Sequence, residues 1–293
     1  MTRTILTSFT LLISYGLLYA STATVQNFSD CTRSGCHLSQ MKHSNIHPPL
    51  EDGCSTCHEA IESEHPVKNE TEFKLIESLP GLCLQCHEFD GKNTNVHSPV
   101  REGDCTGCHN PHSSETEMLL IAENSELCAM CHEAYSGNDF IHGPVAGGMC
   151  TACHDPHYSE HQNMLKRDGQ EVCLFCHTAK KELQAKLSVH KPFQEGCMQC
   201  HTPHHSPAKF LLDTDVPELC YKCHQTVEVG LAKKSEVHGP FQKGGKCYIC
   251  HDAHVSDFEP LLQDTEQNLC LTCHDKKIKK GERNIKNIGK SVN

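Results

Sequence analysis

The chain has 293 residues, a net charge of −11, 5% aromatic residues, no Trp, 22 Cys and 24 His. The acidic balance argues against a nucleic-acid partner, and so few aromatics are thin material for a conventional hydrophobic core. Length alone would suggest two domains, but the cysteines and histidines replace that expectation with a repeat.

In chain order, the first segment reads as a signal peptide over residues 1–23: Arg3, an apolar stretch from Ile5 to Ala20, and small residues at Ser21 and Ala23. No later segment is apolar enough to cross a membrane. The body, residues 24–275, begins with Cys31 and Cys36-His37, whose cysteines have four residues between them. Ten C-x-x-C-H motifs follow, with cysteines at 54/57, 83/86, 105/108, 128/131, 150/153, 173/176, 197/200, 220/223, 247/250 and 270/273. They leave no cysteine over. Residues 276–293 form a basic tail of +6; without it and Arg3 the body carries −18. The tail reads as a solvated, disordered end, or as an electrostatic tag for an acidic redox partner.

The motifs are paired, and the pairs repeat. Unit one runs Val96-His97-Ser98-Pro99, Cys105 to His109, His112, Leu119-Leu120 and Cys128 to His132. Unit two has Ile141-His142-Gly143-Pro144, Cys150 to His154, His157, Leu165 and Cys173 to His177. Unit three has Val189-His190-Lys191-Pro192, Cys197 to His201, His204, Leu211-Leu212 and Cys220 to His224. Unit four has Val237-His238-Gly239-Pro240, Cys247 to His251, His254, Leu261-Leu262 and Cys270 to His274. In all four the second motif begins 19 residues after the first proximal His. A looser leading unit carries His47, Cys54 to His58, His65 and Cys83 to His87, and the Cys31 motif precedes it like half a unit.

Chemistry requires this spacing. The two vinyl groups of haem can each form a thioether with one cysteine, and the histidine that follows lies beneath the iron as proximal ligand. Zinc ribbons do not require His after every second Cys, and a disulfide scaffold does not explain the histidines. The cofactor-binding residues are thus Cys54, Cys57, Cys83, Cys86, Cys105, Cys108, Cys128, Cys131, Cys150, Cys153, Cys173, Cys176, Cys197, Cys200, Cys220, Cys223, Cys247, Cys250, Cys270 and Cys273. Cys31 and Cys36 resemble a variant attachment site, with a structural disulfide as the alternative. The proximal ligands are His37, His58, His87, His109, His132, His154, His177, His201, His224, His251 and His274.

The paired motifs, the H-x-P before each pair and the C-H-x-P-H within it resemble the doubled C-x-x-C-H family of multihaem c-type cytochromes over nearly the whole body. The resemblance implies about eleven covalent haems c, attached outside the cytoplasm. It also implies a mainly α fold with much coil: short helices and loops wrapped around a linear haem array, with little or no β-sheet. Short helices are expected at the C-x-x-C-H segments and across stretches such as Glu117 to Cys131. The haems would replace a conventional core.

Thirteen histidines are not proximal. His97, His142, His190 and His238 precede the pairs, while His112, His157, His204 and His254 follow the first motifs. All eight are expected distal iron ligands, as are His47, His65 and His43 at the leading end. A His three residues after a proximal His would share its side of a helix, so His112 and its equivalents should ligate a neighbouring haem. His161 and His205 have no counterpart and are expected at the surface. The seven Met recur at no repeat position, which favours bis-histidine, low-potential haems.

Eleven histidines placed for eleven motifs favour an electron carrier without a catalytic residue over a multihaem reductase, which needs an open iron. The setting stays open between a plug of an outer-membrane porin, a soluble periplasmic shuttle and an extracellular filament. Matching partners are an inner-membrane quinol dehydrogenase or periplasmic cytochromes, or a porin with an extracellular cytochrome.

Overall fold

The structure is a computed structural model, and it describes residues 31, 37–61, 73–89, 95–133, 140–242 and 245–274. The expected signal peptide, Cys36, His65 and the basic tail lie outside the described residues. The chain divides into a small compact unit, residues 1–42 and 48–76, and a large one, residues 43–47 and 77–293.

In the small unit, the short strands His58–Ala60 and Phe73–Leu75 pair antiparallel, His58 opposite Leu75. A 3-10 turn over Cys54–Thr56 precedes them.

The large unit is built from short helices, turns and two-residue strands, as the low strand content of the sequence implied. Each H-x-P segment has the same construction. Its His is extended, as at His97 with φ −59° and ψ 135°. A helical turn then starts with Pro in its first two positions: Ser98–Arg101, Gly143–Ala146 and Lys191–Glu195. Proline suits that place because its φ is preset and its missing N–H has no intrahelical acceptor there. The first motifs of units two, three and four form single 3-10 turns, such as Cys150–Ala152. Second motifs sit on short α-helices such as Asn124–Ala129 and Glu171–Leu174.

The helix expected from Glu117 to Cys131 is interrupted. A 3-10 turn at Glu117–Leu119 is left by Met118 and Leu119 at φ 57°, and helix resumes only at Asn124. The same left-handed pair recurs at Asn163–Met164 and Phe210–Leu211. Non-glycine residues occupy that region at a cost of about 1–3 kcal/mol each, so it persists only where the surroundings enforce it.

Strands join successive units. Asn45–Ile46 pairs with Ser113–Ser114, Asn95–Val96 with Tyr158–Ser159, Phe140–Ile141 with His205–Ser206, and Ser188–Val189 with Val255–Ser256. At each junction the backbone N–H of the H-x-P histidine donates to the carbonyl of the next unit's post-motif histidine. These bonds run His47 to His112, His97 to His157, His142 to His204 and His190 to His254, at 2.8–3.0 Å. Each unit therefore leans on its successor, as in a solenoid.

The described residues bury few apolar side chains: Leu174, Phe193, Ala208 and Val255. Large ones stay open, Met118 at 79% and Phe210 at 81%. Polypeptide packing alone does not make a core here.

Candidate haem-ligating array

In all the C-x-x-C-H motifs but the one at Cys54, the histidine folds back on the first cysteine. The N–H of His109 donates to the carbonyl of Cys105, His132 to Cys128, His201 to Cys197 and His274 to Cys270, at 2.9–3.1 Å. His37 makes the corresponding bond to Cys31 at 2.8 Å across its longer loop. Both sulfurs of a motif and the imidazole thus share one short turn. No described cysteine is in a disulfide.

The left-handed loops explain the orientation of the first-motif imidazoles. Nδ1 of His109 lies 2.8 Å from the carbonyl of Met118, His154 2.8 Å from Asn163, His201 2.9 Å from Phe210 and His251 3.0 Å from Pro260. A carbonyl only accepts, so Nδ1 carries the proton and Nε2 presents a lone pair. The loops are held in turn by serines. Ser114, Ser159, Ser206 and Ser256 donate through Oγ to the carbonyls of Leu120, Leu165, Leu212 and Leu262. Each Oγ also accepts a backbone N–H, from Thr116, His161, Ala208 and Phe258 respectively. All four serines are buried. They stand two residues after the post-motif histidine in every unit, a signal visible in the sequence but without an assigned role until the loops are seen.

The H-x-P imidazoles are oriented across the junctions. Nδ1 of His47, His97 and His190 donates to the carbonyls of Pro111, Pro156 and Ala253, at 2.9–3.0 Å. Their Nε2 atoms are left for a metal.

Proximal and non-proximal rings then face one another in pairs. Second-motif histidines pair within their own unit: His87 with His47, His132 with His97, His177 with His142, His224 with His190 and His274 with His238. Their centroids are 6.0–6.2 Å apart and their planes within 15–18°. First-motif histidines pair with the next unit: His109 with His157 at 6.0 Å, His154 with His204 at 5.9 Å and His201 with His254 at 6.1 Å. Face-to-face contact would need carbon atoms about 3.5–4.0 Å apart. Two imidazoles on opposite sides of one metal, each bonded at about 2.0–2.1 Å, have centroids about 6 Å apart. The spacing fits an iron between each pair.

Burial pushes the pKa of His157, His204 and His254 down, reinforced for His157 by His109 and for His204 by His154. A depressed pKa keeps the imidazole neutral, the form that ligates.

Thiols of consecutive motifs also meet. Cys83 and Cys105, Cys128 and Cys150, Cys173 and Cys197, and Cys220 and Cys247 are close enough to shift one another's titration. Porphyrin edges attached to them would approach one another from motif to motif.

The remaining expected ligands are placed less completely. His43 bonds through Nδ1 to Glu115 at 2.9 Å, and this bond, ahead of one from Ser44, lowers the Glu115 pKa. His205, expected at the surface, is half-buried in the strand opposite Ile141. His161, also half-buried, stands 4.0 Å from Asp168, and its N–H fills the serine bond common to the units. The backbone counterparts of His161 are Thr116, Ala208 and Phe258.

Covalent attachment turns followed by histidines, strung along a small-core repeat, define a multihaem c-type cytochrome, a class that transfers electrons. The doubled CXXCH motif family model matches residues 47–92, 97–137, 142–182, 190–229 and 238–279, and the chain belongs to that family. Five doubled motifs imply around ten covalent haems, and proteins of this class are typically extracytoplasmic. No curated protein matches the chain. Among the described residues no helix is long and apolar enough to cross a membrane.

Proposed function

We propose that the chain carries electrons along about eleven haems c, bis-histidine ligated wherever two of its imidazoles face each other. The observation that carries this reading is the set of ring pairs about 6 Å apart, each joining a proximal histidine to a non-proximal one. His47, His97, His142, His190 and His238 serve as distal ligands of second-motif haems. His157, His204 and His254 serve first-motif haems. His112 occupies their repeat position, and His43 and His65 remain the leading-end ligands by their place in the sequence. Bis-histidine ligation in place of Met ligation sets low potentials. The thiol contacts between motifs support one continuous array over residues 83–250.

The N-terminal segment supports export, and the acidic body supports docking to redox proteins with complementary charge. The setting is periplasmic, between an inner-membrane quinol dehydrogenase or periplasmic cytochromes and a later acceptor, such as an extracellular cytochrome reached through a porin. A pyridine haemochrome assay with intact-mass measurement tests the assignment. Eleven haems per chain are expected. Ten would remove the Cys31 motif from the array. A largely high-spin ferric spectrum would overturn bis-histidine ligation.

A further inference from the structure

Three first-motif histidines face a post-motif histidine of the unit that follows, and among the described residues no imidazole faces His251 in this way. His109 faces His157 of unit two, His154 faces His204 of unit three, and His201 faces His254 of unit four. By the same pattern the partner of His251 would be a post-motif histidine beyond His274, and none lies among the described residues.

Two further observations set unit four apart. His251 is exposed, whereas His58, His109, His154 and His201 are half-buried. The segment before His238 forms no strand, while its four equivalents each pair with the next unit. The spare histidines that are described lie elsewhere: His43 is engaged with Glu115, His161 stands beside Asp168, and His205 is in the strand opposite Ile141.

Yet His251 itself is fully prepared as a proximal ligand. Its Nδ1 donates to the Pro260 carbonyl, and Ser256 holds that loop through Leu262. We infer that the iron above Cys247 and Cys250 keeps an exchangeable sixth position, open to water and to small iron ligands such as carbon monoxide, nitric oxide, cyanide or free imidazole. This departs from an eleven-for-eleven match of histidines to irons. The inference rests on the bis-histidine reading of the interior haems.

The test uses the full-length holoprotein. Dithionite-reduced protein is titrated with carbon monoxide, and the ferric protein with imidazole, followed by optical and EPR spectra. The Cys247→Ala/Cys250→Ala variant is compared at equal concentration, with its haem content measured by mass. The expected result is that the variant lacks one haem and binds one carbon monoxide fewer per chain. Wild-type protein should also convert a high-spin minority to low-spin with imidazole. An unchanged carbon monoxide stoichiometry in a variant one haem short would overturn the inference. So would a wild-type protein that is wholly low-spin and binds no carbon monoxide, because a histidine from elsewhere in the chain or from a second copy would then cap the iron. The wild-type arm decides the matter even if the variant fails to fold. A low haem count in wild-type protein would instead strike at the cytochrome reading itself.

Discussion

The two motifs of a unit close their ligand pairs differently. A second-motif histidine meets the H-x-P histidine of its own unit, as His132 meets His97 and His177 meets His142. A first-motif histidine meets a residue of the next unit, as His109 meets His157. Second-motif irons would therefore consolidate a unit, while first-motif irons staple it to its neighbour. In a solenoid whose units depend on neighbours, the second kind of bond carries cooperativity along the chain.

The largest expected effect comes from removing the irons altogether. Chain produced without haem attachment should lose most of its ordered structure, because few apolar side chains are buried without haem and ligand binding then supplies folding free energy. Far-UV circular dichroism and proteolysis of apoprotein against holoprotein would show it. An apoprotein with holoprotein-like protection would mean that the polypeptide junctions suffice.

Ligand substitutions separate the two closures. His157→Ala should open the haem on Cys105 and Cys108, in the preceding unit, while leaving that on Cys150 and Cys153 intact. His142→Ala should open the haem on Cys173 and Cys176, within its own unit. Each should turn about one haem in eleven high-spin and raise its potential. A crystal or cryo-EM structure identifies the iron concerned. If His157→Ala opened the haem on Cys150 and Cys153, the stapling of neighbours would be wrong.

A smaller effect is expected from Ser159→Ala. It removes the donor to the Leu165 carbonyl and the acceptor for the His161 N–H. Leaving buried groups unmatched costs about 1–3 kcal/mol. Native-state hydrogen exchange should show faster opening of the loop that orients His154, with the ligands retained. The smallest effect is predicted for His161→Ala. The serine bond uses the backbone N–H, so haem spin state, potentials and carbon monoxide binding should all stay unchanged.

Much of the site was legible in the sequence because covalent chemistry dictates spacing. The cysteine pairs, the histidine after each and the recurring H-x-P and post-motif histidines all follow from attachment and ligation, and they stand at the same repeat positions in the structure. The argument that His112 and its equivalents share a helical side with the proximal histidine did not hold. Asn110, Asp155 and Asp252 accept the N–H of His112, His157 and His254 through their side chains, at 2.8–2.9 Å. Asx turns of this kind replace the helix after the first motif. They turn the chain into a strand that pairs with the preceding unit, which is how His157 and His254 come to face His109 and His201.

By itself the sequence determined the repeat, the doubled C-x-x-C-H spacing and the scarcity of polypeptide core, since each is a matter of residue identity and spacing. Tertiary structure decided which imidazole faces which, because that depends on backbone pairing between segments about 65 residues apart. It also revealed the left-handed loops and their serines, whose strain is tolerable only once a proximal histidine needs the carbonyl they present.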